Sequence, residues 1–129
     1  MKILKRFIVC VLLILVAGSL ALRLTGFTPY AITTQSMEPK ISVNSLVYVK
    51  EIEFNDIKEN DVITYIATDG VTVTHRVVNI DYETQTVITK GDNNEYADAL
   101  IVTKDRIIGK VYLTIPALGC ITNIIGVDW

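Results

Sequence analysis

The chain has 129 residues, half of them apolar and a fifth charged, which fits one folded domain and excludes an intrinsically disordered protein. Its charge is unevenly distributed, because no acidic residue precedes Glu38, whereas eight basic and 14 acidic residues follow Arg23. No basic patch with interleaved aromatic residues is visible, so nucleic acid is not an expected partner.

The first element is an uncharged apolar run at residues 7–22, flanked by Lys5, Arg6 and Arg23. Its 16 residues would form a helix about 24 Å long, slightly shorter than a bilayer core of about 30 Å. The flanking cations and the apolar residues that follow can extend this span. The run therefore predicts a transmembrane helix, and residues 1–27 are interpreted as a cytoplasmic N-terminus and membrane anchor.

The positive charge before the run predicts a cytoplasmic N-terminus and a single-pass protein of the cell membrane, with the rest of the chain extracytoplasmic. The alternative is a cleavable signal peptide, because Ser19, Leu20 and Ala21 form a small-x-small site. The run is long for a signal peptide, and this favours a permanent anchor.

Residues 28–129 are predicted to form an extracytoplasmic, β-rich domain. After a short linker at Thr25–Pro29, apolar and polar residues alternate and β-branched residues are frequent. Five strands are predicted, at Ser45–Lys50, Asp61–Ala67, Val71–Ile80, Thr86–Lys90 and Ile107–Ile115. Asp69–Gly70 predicts a hairpin turn, and Ala97–Thr103 is interpreted as one helical turn or irregular chain. The pattern favours a mainly β, partly closed, barrel-like domain.

The C-terminal stretch from Leu113 to Trp129 is apolar but interrupted by Pro116, Gly119 and Gly126. These interruptions argue against a second membrane span. Two interpretations stay open: a segment that lies on or dips into the membrane, or an element packed on the domain. Trp129 would suit a bilayer interface.

The cysteines and the lone histidine argue against a metal site. Cys10 lies in the N-terminal apolar run and Cys120 in the C-terminal apolar stretch, without metal-ligand spacing. His75 is the single histidine and supplies no second ligand set. A disulfide is not expected either, since Cys10 should lie in lipid.

A serine and a histidine suggest hydrolytic chemistry. A serine hydroxyl becomes a good nucleophile only when a base removes its proton, and imidazole is the side chain best suited to this near neutral pH. In the predicted strand, His75 alternates with Val73 and Val77, so it should point inward and need hydrogen-bond partners. Ser36 is the candidate nucleophile, with an ordinary loop position as the alternative.

Two carboxylates are candidates for orienting this histidine. Asp92 lies in the turn cluster at residues 91–94, and Asp98 follows six residues later. A carboxylate on one ring nitrogen fixes the tautomer, so that the other nitrogen can accept the serine proton. The alternatives are a turn residue for Asp92 and a helix N-cap for Asp98.

Two residues beside the candidate nucleophile are placed on the substrate side of the site. Thr34 shares a face with Ser36 if the segment is extended, so its hydroxyl and the Ser36 backbone N–H could stabilise an oxyanion. Met37 is assigned to substrate binding. The alternatives are an ordinary strand residue for Thr34 and a core position for Met37.

Together these motifs resemble the type I signal peptidases. Ser-Met-x-Pro at 36–39 follows an N-terminal apolar helix, His75-Arg76 lies in a β-rich segment, and Lys-Gly-Asp-Asn-Asn at 90–94 precedes Asp98. The pattern is similar to the endoplasmic reticulum and archaeal branch, which also occurs in some Gram-positive bacteria. The resemblance covers about residues 1–115.

The resemblance implies a role for each site residue. It implies a nucleophile (Ser36), a base where the common bacterial branch has lysine (His75), a third catalytic member (Asp98), a second important acid (Asp92) and an oxyanion donor (Thr34). Arg76 is expected to be structural.

The implied function is a membrane-anchored serine endopeptidase that removes signal peptides from secreted preproteins after small-x-small sites. Its partners would be preproteins and the lipid bilayer, with accessory membrane subunits left open, and no metal or organic cofactor is required. One alternative is a non-catalytic membrane-anchored β-domain that binds a surface or secreted partner. Another is a serine protease that cuts other membrane-proximal substrates.

Overall fold

A computed structural model describes residues 1–116 of the chain, which form one helix and seven strands. The helix α1 spans Lys2–Leu24. The strands are β1 (Phe27–Ala31), β2 (Leu46–Lys50), β3 (Val62–Ile66), β4 (Thr72–Asp81), β5 (Thr86–Lys90), β6 (Ile101–Thr103) and β7 (Ile107–Ile115). Short 3₁₀ turns at Phe54–Asp56 and Lys104–Arg106 lead towards β3 and into β7.

The strands form a single antiparallel sheet in the order β1-β2-β7-β3-β4-β5-β6. The sheet curls into a half-barrel, which confirms the predicted mainly β, partly closed architecture. Irregular pairing interrupts three of the ladders, including the one between β4 and β5 near Val77. Such bulges increase local twist and bend the sheet.

All five predicted strands are present, and their ends agree with the prediction to within one residue. The predicted hairpin turn is also confirmed, since Gly70 has a φ of 81° and its N–H donates to Ala67. Alternation of apolar and polar residues locates these strands because one face of each is packed.

Two edge strands contradict the prediction. β1 occupies a segment interpreted as a linker, and β6 lies inside a segment interpreted as a helical turn or irregular chain. Pro29 argued against a strand in this segment, because proline is unfavourable in a central strand. It is tolerated in β1 because this strand pairs with β2 alone. β6 has only three residues, too few to show a period of two.

The packed side chains form two apolar clusters. The first cluster is Phe54, Ile57, Ile63, Tyr65, Val77, Val87 and Val102. The second cluster is Ile32, Met37, Ile41, Val47 and Val49. Successive residues of a strand point to opposite faces, so Ile63 lies in the first cluster while Val62 packs against the second.

Helix α1 projects from this domain with none of its residues buried. Among the described residues it is the one helix long and apolar enough to cross a membrane, with a mean hydropathy of 2.6. Its 23 residues correspond to about 35 Å, and an apolar surface of this extent that the domain leaves unburied suits lipid. A contact of 3.2 Å between Ser19 Oγ and Tyr48 Oη joins the last turns of the helix to the sheet.

The C-terminal apolar stretch is only partly described. Its first residues, Leu113 to Ile115, form the end of β7, so at this point the stretch belongs to the sheet. Residues 117–129, with Cys120 and Trp129, lie outside the described residues. Cys10 lies exposed in α1.

Candidate active site

Ser36 lies in the turn-rich segment between β1 and β2. Backbone hydrogen bonds from Glu38 to Gln35 and from Ile41 to Met37 close the turns around it, and the Glu38–Pro39 peptide bond is cis. Met37 is 0% exposed and belongs to the second apolar cluster. The residue predicted to bind substrate is therefore a core residue, which anchors the backbone next to Ser36.

His75 connects Ser36 to Asp98. Its Nε2 lies 3.0 Å from Ser36 Oγ, and its Nδ1 lies 2.7 Å from Asp98 Oδ2. A carboxylate can only accept, so we assign the ring proton to Nδ1, and Nε2 of the neutral ring then accepts a hydrogen bond from the Ser36 hydroxyl. His75 is buried on β4, with a side-chain exposure of 11%, which matches its predicted inward position.

Two hydroxyls from neighbouring strands also contact Asp98. Thr89 Oγ1 donates to Asp98 Oδ2 at 2.6 Å, and Tyr65 Oη lies 3.3 Å from the same oxygen. Burial raises the pKa of Tyr65 to about 12, and the Asp98 carboxylate acts in the same direction. The Tyr65 phenol therefore keeps its proton and remains a donor.

Asp92 has a different partner. Arg76 Nε and Nη2 donate to its two carboxylate oxygens at 2.7 and 2.6 Å, a bidentate ion pair. Hydrogen bonds from Arg76 lower the pKa of Asp92, and Arg76 Nη1 also donates to the Asn60 carbonyl at 2.8 Å. Asp98, rather than Asp92, is the acid in contact with His75.

The turn at 91–94 holds the backbone of the serine segment. The Asn93 N–H donates to the Ser36 carbonyl at 2.8 Å, and Asn93 Nδ2 donates to the Gln35 carbonyl at 3.1 Å. Gly91 permits this approach, because a Cβ at this position would lie 2.6 Å from the Ser36 carbonyl oxygen. The Lys-Gly-Asp-Asn-Asn motif thus positions the serine as well as supplying Asp92.

Thr34 stands beside the serine hydroxyl. Its Oγ1 lies 3.1 Å from Ser36 Oγ, so the two hydroxyls are within hydrogen-bonding distance although the segment is turned rather than extended. An open groove of about 640 Å³ begins here, between residues 30–36 and residues 70–75, which include the start of β4. His75 and Ser36 lie in its wall.

Three residues of the site were not predicted as functional: Tyr65, Thr89 and Asn93. Asn93 belongs to the Lys-Gly-Asp-Asn-Asn motif at 90–94. The sequence contains one weak signal for Tyr65 and Thr89: each places a polar group at an inward-facing position of a predicted strand. Within residues 1–116, no group of three or more His, Cys, Asp or Glu side chains could hold a metal ion.

A serine, an imidazole and a carboxylate joined by hydrogen bonds form the arrangement that serine hydrolases use on several unrelated folds. The family comparison agrees with this class: the chain belongs to the signal peptidase family, peptidase S26, whose family model matches residues 3–115.

One relative is Signal peptidase I W of Bacillus subtilis (strain 168), a Gram-positive bacterium, which is 36% identical over 85 residues. The match covers 64% of this chain and 45% of that protein, so it spans less than half the length of the relative.

Proposed function

We propose that this chain is a membrane-anchored serine endopeptidase that removes signal peptides from secreted preproteins, with Ser36 as nucleophile and His75 as base. The observation that carries the proposal is the continuous hydrogen-bonded chain from Ser36 Oγ through both nitrogens of His75 to Asp98, with distances of 3.0 and 2.7 Å. Membership of the signal peptidase family supports the substrate class.

The proposed reaction proceeds through an acyl-enzyme. Ser36 Oγ attacks the carbonyl carbon of the scissile peptide while its proton moves to His75 Nε2. The imidazolium, stabilised by Asp98, then protonates the leaving amine as the C–N bond breaks, which releases the mature protein. A water molecule, deprotonated by His75, attacks the acyl-enzyme ester, and the returning proton regenerates the Ser36 hydroxyl.

Thr34 is proposed to stabilise the oxyanion. Its hydroxyl lies 3.1 Å from Ser36 Oγ and is exposed at the groove, where it can turn towards the oxygen that becomes negative as the tetrahedral intermediate forms. The Ser36 backbone N–H would be the second donor. Two donors aimed at a developing charge are the usual arrangement in acyl transfer.

The substrate is proposed to bind extended along β4. This strand pairs with β3 from Thr72 onwards, whereas its pairing with β5 begins only at Arg76. Its first residues therefore present one free backbone edge at the groove, to which a peptide can add as a strand. Alternate residues of an extended peptide face the same side, so the positions at −1 and −3 would face the enzyme together, and small side chains there would fit shallow pockets.

The membrane helix is proposed to place this site near the bilayer. Residues 1–27 would form the cytoplasmic N-terminus and anchor, and residues 28–129 the extracytoplasmic domain, since the basic residues precede the apolar span. Ser36 follows Leu24 by 12 residues, a reach of at most about 43 Å. A preprotein anchored by its own apolar segment would present its cleavage site at a similar distance from the bilayer surface.

The test is cleavage of a preprotein with an Ala-x-Ala site by the purified, detergent-solubilised protein. Mass spectrometry of the products should locate the cut after the second alanine, and a bulky leucine at −1 should prevent it. Ser36→Ala should lose activity by at least about 1,000-fold. Ser42→Ala, which alters an exposed serine of the same loop, is the control and should retain it. Cleavage that ignores the −1 residue, or that survives in Ser36→Ala, would refute the proposal.

A further inference from the structure

Asp98 owes its position to hydrogen bonds rather than to a regular element. It lies between β5 and β6, in the segment 91–100, which contains no helix or strand. Its backbone N–H donates to the Thr89 carbonyl at 2.8 Å, so the main chain is tied to β5. The orientation of the carboxylate then depends on the donors around it.

Those donors come from one face of three adjacent strands. Ile63 pairs with His75, and Tyr65 follows Ile63 by two residues, so Tyr65 and His75 share a face. Thr89 pairs with Val77, which follows His75 by two residues, so Thr89 lies on this face too. β3, β4 and β5 are neighbours in the sheet, and each supplies one polar side chain to the same location.

All three donors meet at one atom, Asp98 Oδ2. The distances to it are 2.7 Å from His75 Nδ1, 2.6 Å from Thr89 Oγ1 and 3.3 Å from Tyr65 Oη. Tyr65 Oη and Thr89 Oγ1 are also 3.1 Å apart. Thr89 is 0% exposed and Tyr65 is 2% exposed, so water does not readily replace either hydroxyl.

We propose that Thr89 and Tyr65 are positioning residues that act through Asp98 to hold His75 in the Nδ1–H tautomer; their effect on cleavage rests on the function proposed above. A carboxylate held by fixed donors presents Oδ2 to Nδ1 and leaves Nε2 free of a proton. Without the Thr89 hydroxyl, the carboxylate can rotate and the ring can exchange its proton between the two nitrogens. Only the Nδ1–H form accepts the Ser36 proton.

The single histidine makes the tautomer directly measurable. In protein labelled with ¹⁵N-histidine, one imidazole gives rise to all the ring signals. The parent should show a protonated Nδ1 and an unprotonated Nε2. Thr89→Val, which keeps the shape and removes the hydroxyl, should increase the Nε2–H fraction, and Thr89→Ser should restore the parent spectrum.

Cleavage kinetics provide the second readout. Thr89→Val should lower kcat about tenfold, as expected for the loss of one buried hydrogen bond, with KM changed less than about twofold. Tyr65→Phe should lower kcat by a smaller factor, about threefold, because its contact is longer. Thr89→Ser should recover kcat to within about twofold of the parent.

Matched controls separate positioning from general destabilisation. Thr64→Val also removes a buried threonine hydroxyl, but this hydroxyl pairs with Thr74 on the opposite face of the sheet. Tyr82→Phe removes a phenol that donates to the Ile57 carbonyl. Both variants should keep the parent tautomer and kcat.

The two readouts make the possible failures distinguishable. An unchanged tautomer in folded Thr89→Val would overturn the positioning role, and so would a loss of kcat that Thr89→Ser fails to restore. If the parent cleaves no preprotein while Thr89→Val still shifts the tautomer, the positioning role stands and the proposed peptidase function fails.

Discussion

At the scale of single residues, Asp92 and Asp98 lie only six positions apart, yet they contact different partners. Adjacent strand residues point to opposite faces, so His75 and Arg76 extend in different directions, and each contacts one acid. The sequence identified both acids but could not assign them, because the path of the irregular segment after β5 depends on tertiary contacts. The sequence did not predict a role for Thr89 and Tyr65, because a buried threonine or tyrosine is usually part of a core.

The Arg76–Asp92 ion pair predicts a pH-dependent stability. Hydrogen bonds from Arg76 lower the pKa of Asp92 below its ordinary 3.8, so the folded state favours the charged form. The stabilisation is complete above pH 3.8 and disappears as the pH falls through the lower folded-state pKa. The Tm difference between the parent and Asp92→Asn should therefore be constant from about pH 7 to 5 and shrink in stronger acid.

Calorimetry from about pH 7 down into the stronger acid measures this Tm difference. Glu95→Gln, an exposed change in the same segment, is the control. A Tm difference that grows in acid would contradict the assigned ion pair.

Gly91 predicts a loss of activity from one added methyl group. In Gly91→Ala, the new Cβ would lie 2.6 Å from the Ser36 carbonyl oxygen, so the turn and the serine segment must separate. A displacement of about 1 Å at a nucleophile can reduce the rate about 100-fold. We expect a fall of about 10- to 100-fold in kcat/KM for preprotein cleavage, with a folded protein by circular dichroism.

Gly18→Ala is the matched control, since a Cβ at that position has no neighbour within 4 Å. Parent-like kinetics in Gly91→Ala would show that the serine does not depend on this close contact.

At the scale of elements, alternation located the strands that have one packed face, and it failed for β1 and β6 at the two edges. The segment 32–45 shows no periodicity, yet it contributes Ile32, Met37 and Ile41 to the second apolar cluster. The sequence predicted a functional loop there but not its anchoring, because burial of an irregular segment depends on the sheet that it covers. Met37 therefore has a structural role directly beside Ser36, the proposed nucleophile.

The burial of Met37 predicts a loss of stability when its side chain is shortened. Met37→Ala removes a fully buried side chain and should lower the free energy of unfolding by about 2–5 kcal/mol. Met37→Leu conserves volume and should cost less than about 1.5 kcal/mol. Urea denaturation gives these values, and a change below 1 kcal/mol for the alanine variant would show that the serine loop is not anchored through this residue.

At the scale of the whole molecule, the proposed anchor predicts a defined topology. With both native cysteines replaced by serine, Ile3→Cys, which keeps every basic residue, should be shielded from a membrane-impermeant maleimide added outside intact cells. A cysteine at Glu95, in the domain, should be labelled. The distribution of basic residues is the physical reason for this orientation. The reverse labelling pattern would contradict the proposed topology.

The proposed transfer of the Ser36 proton to His75 is tested by comparing His75→Ala with Lys90→Ala in preprotein cleavage. Lys90, the last residue of β5 and the first of the Lys-Gly-Asp-Asn-Asn motif, is the lysine tested as an alternative base. A general base contributes about 100- to 10,000-fold. We expect His75→Ala to lower kcat by at least about 100-fold. In Lys90→Ala, kcat should stay within about threefold of the parent. Parent-like cleavage by His75→Ala, with activity lost in Lys90→Ala, would show that Lys90, and not His75, is the base.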